Sequence, residues 1–345
     1  MGMKRATSMC ALVGLMTAVL AGTGCRKSDD EAFRAGVPTR EAVVLQVPGA
    51  TADGTSASGA TTTTTSALLG QTADTYDVTR LVTAVVNGGT WAVLTLVKTV
   101  VSYPATHVMA DSAVWGPHTD PLSRVTWRLT VTRLEPHQFQ WTFDGKDKRL
   151  GDDAFVTVIS GTHTAAVDAA DDPIEGFGSG TFTIDWDKAA TLPDHDNNVG
   201  VAAFTYSRLT AAAVVTVNVD FTGIQDDKTL EIFNAQYRYT STPGQGGKLR
   251  YAEDKDNVPD PGNTGTAKEH FTIESRWTED GVGRCDLQDS GGDLMSTVAH
   301  ASECWDSSFF SVYRNVEYPD PKDAQPNWGA ETACTAFPAA EYANL

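Results

Sequence analysis

Period-two alternation, which runs through most of the chain after His107, is the feature that most constrains the fold. Val125, Trp127, Leu129 and Val131 alternate with Thr126, Arg128, Thr130 and Thr132. Phe139, Trp141 and Phe143 alternate with Gln138, Gln140 and Thr142. Phe182, Ile184 and Trp186 alternate with Thr181, Thr183 and Asp185, and Val215, Val217, Val219 and Phe221 with Thr216, Asn218 and Asp220. Ile232, Tyr237, Tyr239, Tyr251, Phe271, Ile273 and Trp277 mark three or four further strands. Successive side chains of a strand point to opposite faces, so each segment has one apolar and one polar face, as in antiparallel sheet with one wet side. Turn signals separate the segments: Asp144-Gly145, Asp171-Asp172-Pro173, Pro193-Asp194, Pro243-Gly244, Asp260-Pro261-Gly262 and Asp280-Gly281. The expected fold is mainly β, a large curved antiparallel sheet or open barrel packed on an N-terminal helical segment, with a two-sheet sandwich as the alternative. A membrane-embedded barrel is disfavoured, because the polar faces carry Arg and Asp in mid-strand.

The helical segment spans Thr75 to Tyr103. Leu81, Val82, Val85 and Val86 share a face at helical spacing, and Asn87-Gly88-Gly89 then breaks the pattern. Thr90 is placed to cap a second helix carrying Trp91, Leu94, Val97 and Val101, which Pro104 ends. Val93, Val97, Val100 and Val101 are β-branched and leave strand as a rival for that second piece. No apolar run reaches the roughly 18 residues of a membrane-spanning helix. Upstream, Ala50 to Ala67 is nearly all Ala, Thr, Ser and Gly. Such a composition cannot offset ordering entropy, so residues 25–74 are expected to be a flexible linker with an r.m.s. span of roughly 35–40 Å. Residues 75–345 are then expected to be a single β-rich domain.

Lys4 and Arg5 precede an apolar stretch from Cys10 to Leu20, and Leu20-Ala21-Gly22-Thr23-Gly24-Cys25 closes it with small residues. This order describes a secretory signal. The segment resembles a bacterial lipoprotein precursor, in which a lipid is attached to a Cys thiol and the chain is cut just before that Cys. The resemblance implies a signal peptide over 1–24 and lipid attachment at Cys25. Gly22 stands where the family usually has Leu, so ordinary secretion with a cut near Ala21 remains the alternative. The implied location is the bacterial cell envelope, lipid-anchored at the outer membrane on its periplasmic or surface face. With 26 Lys+Arg against 44 Asp+Glu, a net charge of −18, the chain is unsuited to nucleic acid and repelled by anionic head groups. Its membrane attachment would come from acyl chains at Cys25.

Of five cysteines, Cys10 leaves with the signal and Cys25 takes the lipid. Cys285, Cys304 and Cys334 remain, enough for one bridge in an oxidising compartment. A Cys304–Cys334 disulfide is expected, because Cys334 lies in an aperiodic tail, Pro319 to Leu345, that needs pinning. Cys285–Cys304 is the next choice. No metal site is expected, since His300 and Cys304 have no second His–Cys pair to complete four ligands.

Asp289-Ser290-Gly291-Gly292 is similar to the nucleophile motif of trypsin-like serine proteases, and Thr297-Val298-Ala299-His300 to their histidine motif. In that family the His precedes the Ser by most of a domain; here it follows ten residues later, and Gln288 replaces the expected Gly. A Gly-rich hairpin turn is the better reading. Asp194-His195-Asp196-Asn197-Asn198-Val199-Gly200 alternates oxygen ligands like a calcium loop. Val199 stands where the sharp turn wants Gly, and Thr205 where a bidentate Glu belongs, so a solvated acidic loop is expected. Glu253 to Asn257 reads as a charged turn. Gly244-Gln245-Gly246-Gly247-Lys248 lacks the context of a phosphate loop.

No catalytic residue, no cofactor and no enzymatic activity are therefore expected. Ser275-Arg276-Trp277, Gly281 to Arg284, Gly291 to Leu294 and Glu303 to Asp306 look like the end of certain uncharacterised bacterial envelope lipoproteins, a resemblance that implies location only. The expected function is a membrane-anchored, non-catalytic surface interaction or structural module with a protein partner. The alternative is a periplasmic carrier of a lipid or other hydrophobic ligand, with Trp127, Phe139, Trp141, Phe143, Phe182 and Trp186 lining a concave pocket.

Overall fold

The structure, a computed structural model, describes residues 30–49, 69–195, 197–226, 228–256, 264–294, 297–317 and 326–345. The signal segment, Cys10, Cys25 and residues 50–68 of the expected linker lie outside the described residues.

The described chain is mainly β. In chain order come helices α1 (Glu31–Arg34), α2 (Arg40–Val43) and α3 (Asp74–Ser102), then strands β1 (His107–Val108), β2 (Ser112–Thr119), β3 (Val125–Glu135), β4 (Gln138–Asp147), β5 (Val156–Val167) and β6 (Pro173–Asp185). A short helix α4 (Trp186–Ala189) precedes β7 (Val201–Arg208), β8 (Val215–Gln225), β9 (Ile232–Thr242), β10 (Gly246–Asp256), β11 (Lys268–Trp277), β12 (Gly283–Gly291), β13 (Val298–Trp305) and β14 (Ser311–Glu317). The fourteen strands form one antiparallel sheet in sequence order, not closed and not split into two. Hairpin connections make this order the natural outcome, since short links leave each strand beside its predecessor.

Contacts divide the chain into two compact units. One comprises the described residues up to Ala42 and Trp91–Ala203. Its core is the apolar face of β3 to β6: Leu129, Val131, Phe139, Trp141, Phe143, Phe182 and Ile184 are buried. Register sets Val131 opposite Trp141 and Leu129 opposite Phe143, so the alternation of each strand lands on the same face. Phe33 of α1 meets Phe139 edge-on at 6.4 Å. Gly36 lets this segment press onto the sheet, because a Cβ there would sit 2.6 Å from Phe139 and 2.8 Å from Val131. Asp30, also buried, accepts from Arg34 at 3.0 Å and from the Ala105 N–H at 2.7 Å. The Arg34 guanidinium donates to the Val101 and Tyr103 carbonyls at the C-terminal end of α3, where a cation complements the helix dipole.

The second unit comprises the described residues of Val43–Thr90 and Phe204–Leu345. Here Leu45 and Val47 are buried, and the Asn87 side chain clamps the Leu45 backbone, accepting from its N–H and donating to its carbonyl at 3.0 Å each. Tyr239 Oη donates to the Gln46 carbonyl at 2.7 Å and accepts from the Gln46 N–H at 3.0 Å.

Two expectations are corrected here. The stretch 30–49, expected to be flexible linker, is packed: Phe33, Val37, Ala42, Val43, Leu45 and Val47 are all buried. Sparse anchors with backbone hydrogen-bond partners suffice where composition alone reads as linker. The expected break at Asn87-Gly88-Gly89 does not occur, and α3 is one helix of 29 residues. Tyr76, Thr79, Thr83, Val86, Thr90, Val93, Val97 and Val101, three or four apart throughout, are buried. That continuous stripe outweighs the roughly 1 kcal/mol that a helical Gly costs. Thr79, Thr83 and Thr90 satisfy their hydroxyls on the carbonyl four residues back, at 2.8 Å each. By length and composition alone α3 also passes for a membrane span, a test that buried core helices pass equally.

Smaller departures have local causes. Asp144-Gly145 lies inside β4, where a bulge rather than a turn absorbs the extra residue. Trp186 opens α4 instead of ending a strand, because the Asp185 carboxylate caps the Lys188 N–H at 2.8 Å. Glu253 to Asp256 belong to β10 and not to a turn.

Candidate functional site

Both faces of the sheet are covered over the inner parts of β11 to β13, and the strand register assigns each side chain to one of them. Ser275, Cys285 and Glu303 lie side by side on one face. This face meets the N-terminal half of α3. Thr79 Oγ1 donates to Ser275 Oγ at 2.9 Å, and Glu303 Oε2 accepts from both the N–H and the hydroxyl of Thr75 at 2.9 Å. A carboxylate at the start of a helix satisfies an orphan donor and complements the dipole. Tyr76 stacks on Phe309 at 4.3 Å and lies 5.6 Å from Trp305. Burial pushes the Glu303 carboxyl up from its ordinary range, against the opposing pull of the Thr75 hydrogen bonds. Burial, followed by the charges of Asp286 and Glu303, pushes the Cys285 thiol well up, so this free cysteine is a protonated, inert group.

The opposite face is made of charge. Lys248, Arg276, Arg284 and Cys304 stand in one row across β10 to β13, and Arg250, Glu274, Asp286 and Ser302 in the next. Ala252, Thr272, Gln288 and His300 follow, then Asp254, His270, Ser290 and Val298. Such rows belong in water, yet Arg284 is 1% exposed and Asp286 0%. The cover is the chain's own C-terminus, residues 331–345.

Cys334 lies at disulfide distance from Cys304, with Cα atoms 5.6 Å apart, and fixes one end of this strap. From there Arg284 donates to Glu331 at 2.9 Å and to the Phe337 carbonyl at 3.3 Å. Arg276 donates to the Ala339 carbonyl at 2.9 Å and pairs with Glu341 at 2.6 Å. Asp286 sits at the centre. It accepts from Arg276 at 2.9 Å, Arg284 at 2.8 Å, Ser302 at 2.7 Å and the Glu341 N–H at 3.1 Å. Phe337 lies 5.2 Å beneath the Arg276 guanidinium, and the Tyr342 ring lies tilted against His300 at 4.4 Å. Leu345 ends the strap in a pocket of about 120 Å³, lined also by Gln236, Asp254 and His270.

The electrostatics follow from this packing. Burial pulls the Arg284 pKa down, but Asp286 and Glu331 more than offset it and hold the guanidinium above its ordinary value. Burial pushes Glu274 up against the pull of Lys248. Its neighbour Glu341 is held down, first by the hydrogen bond from Glu274 and then by Arg276 and Lys248.

The structure brings Cys304 and Cys334 together and leaves Cys285 on the other face. The protease-like pair does not converge: Ser290 Oγ donates to the His270 carbonyl, while His300 Nε2 pairs with Gln288 Oε1 at 3.3 Å. Asp194 is engaged by Arg124, accepting from its backbone N–H at 3.0 Å and its Nε at 2.8 Å. Asp196 lies outside the described residues.

Sequence reasoning missed a convergence of three carboxylates. Asp256, Glu269 and Asp293 place one oxygen each within 4.8 Å of one another. Hard oxygen ligands in this number suit a hydrated divalent cation. Glu269 also accepts from the Asp293 N–H, and Asp293 from the Ala267 N–H, at 3.2 Å each. The three positions lie 13 and 24 residues apart, and only the pairing of β10 with β11 and the turn that follows β12 unite them, so no spacing motif signals them. The strap was missed for the same reason: polar alternation predicts a wet face and says nothing of a tail that covers it. The chain matches no protein-family model, no curated protein and no solved structure.

Proposed function

We propose that this protein is an exported, lipid-anchored cell-envelope protein whose β-rich body is a non-catalytic interaction or structural module. The export and anchoring parts rest on Lys4, Arg5, the Cys10–Leu20 apolar stretch and Cys25 with its small preceding residues. One structural observation supports the module over a hydrophobic carrier: aromatics that would line a pocket in the first unit pack on one another. Trp141, Phe143 and Phe182, which would line a lipid pocket, are buried to 2% exposure or less. Trp127 stacks on Phe143 at 4.9 Å, and Trp141 lies 6.2 Å from Phe182. Their area is committed to one another, as in an ordinary core.

Metabolic labelling with a fatty acid tests the anchor. Wild-type protein takes up the label, and Cys25→Ser removes it and releases the body to the soluble fraction; unlabelled wild type overturns the anchor. Organic-solvent extraction of the purified mature body tests the module. A lipid-free extract supports it, and stoichiometric co-purifying lipid replaces it with the carrier.

A further inference from the structure

We infer that the C-terminal strap, 331–345, is an intramolecular ligand. It occupies a charged sheet face suited to an extended acidic peptide, and it leaves that face without unfolding the sheet beneath. The inference rests on the interaction-module reading and names the kind of partner that module takes.

The first ground is what the covered face is made of. Lys248, Arg250, Glu274, Arg276, Arg284, Asp286, Gln288 and His300 form a surface that water solvates well. An antiparallel sheet needs cover on its apolar face and none on a face of this kind. The α3 side must stay closed for the unit to fold; the strap side need not. The second ground is how the strap is held. Among the described residues its backbone–backbone hydrogen bonds past Ala330 are local, such as Cys334 N–H to the Glu331 carbonyl and Thr335 N–H to the Ala333 carbonyl. Its grip on the sheet comes from side chains that treat it as a bound peptide: two arginines on its carbonyls and carboxylates, one aspartate on its Glu341 N–H, and two aromatic contacts. The third ground is the tether. Cys304–Cys334 holds the strap beside its face, so weak contacts suffice to keep it docked.

The occupant's chemistry can be read from the same contacts. Arg284 and Arg276 each take one carboxylate, from Glu331 and Glu341, which lie at the half-exposed rim. Arginine forks favour carboxylates in this role. An extended segment with two acidic residues flanking an aromatic one, running in the strap's direction, fits the face.

The test uses the full chain in two forms. In Cys304→Ser/Cys334→Ser protein, hydrogen exchange is followed at the Glu341 amide and at ladder amides of β11 to β13. We expect the strap amide to exchange on the order of 100-fold faster than the ladder. Strap and ladder exchanging together would make the strap part of the fold and overturn the inference. In the same protein carrying Glu331→Gln and Glu341→Gln, the strap is weakened in cis and both arginines lose their strap carboxylates, which a competitor can replace. A fluorescent peptide of sequence 329–345, with Ser at 334 and both glutamates intact, is expected to bind saturably. Adding Arg284→Gln should weaken that binding about tenfold or more. Absent binding, or binding indifferent to Arg284, overturns the inference. If the fourfold variant fails to fold, the exchange result on the double variant decides. A failed peptide test with a lipid-free body sinks this inference alone, whereas co-purifying lipid sinks the module reading.

Discussion

Glu303 and Asp286 are neighbours on adjacent strands of one sheet, both fully buried, and they face opposite ways. Glu303 meets α3. One of its oxygens accepts two bonds from Thr75, and the other has no hydrogen-bond partner. Asp286 meets the strap, and its two oxygens take four donors. The apolar face thus tolerates one poorly served carboxylate because its cover is held by Tyr76, Trp305, Phe309 and the rest of a hydrophobic contact. The charged face also leaves buried atoms without a hydrogen bond, Glu274 Oε1 and Arg276 Nε, but it has no hydrophobic reserve, and its cover is held by ion pairs. Hydrophobic burial makes a cover obligatory, while ion pairing makes it conditional.

The sharpest way to break the comparison is to damage the obligatory side. Trp305 is buried, donates from Nε1 to the Gly281 carbonyl at 2.9 Å and packs beside Tyr76. Trp305→Ala should cost about 3–5 kcal/mol and release the N-terminal half of α3 together with β11 to β14 in one transition. Urea denaturation followed by far-ultraviolet circular dichroism and by tyrosine fluorescence should give coincident midpoints. A loss below about 1 kcal/mol would remove the claim that this face is obligatory.

On the conditional side, Asp286→Ala leaves Arg276 and Arg284 without their central partner. Where such charges stay buried, the loss is about 3–5 kcal/mol. Here the strap can lift and admit water, so we expect about 2 kcal/mol, with faster exchange confined to 335–345. A full-sized loss spread over the whole unit would make the two faces equivalent.

The same contrast explains what could be read from sequence. The strands were legible because Val125 to Val131, Phe139 to Phe143 and Val215 to Phe221 alternate over lengths that no helix imitates. The two ends of the disulfide were legible from the need to pin an aperiodic tail. The continuity of α3 was hidden by Gly88 and by its threonines, whose helix cost is repaid only by tertiary burial of Thr79, Thr83 and Thr90. The packing of 30–49 was hidden because Phe33, Leu45 and Val47 are few, and the side chains that hold the Leu45 and Gln46 backbone, Asn87 and Tyr239, are 42 and 193 residues away. The charged site was hidden most completely. Arg276, Arg284 and Asp286 carry an ordinary solvent-face pattern, and only the returning tail turns that pattern into a buried network.

The smallest expected effect concerns Glu303, and its sign separates the two faces. Burial raises the Glu303 pKa in the folded state above its ordinary value near 4.5. Folding therefore favours the protonated form. The associated stability is fully present below the unfolded pKa of roughly 4.3 and is lost as pH rises through the folded value. At pH 8 the wild-type chain keeps a buried carboxylate with one oxygen unserved. Glu303→Gln preserves an acceptor for Thr75 and places an amide N–H₂ where that oxygen stood, beside Ser311. We expect it to raise stability at pH 8 by about 1 kcal/mol, with the gain shrinking toward zero below the unfolded pKa of roughly 4.3. Urea midpoints of both chains at several pH values measure the difference directly, since the other titrating groups cancel. A substitution that destabilises at pH 8 would mean that the charge of Glu303, set against the start of α3, contributes more than its desolvation costs. The α3 face would then depend on charge pairing much as the strap face does.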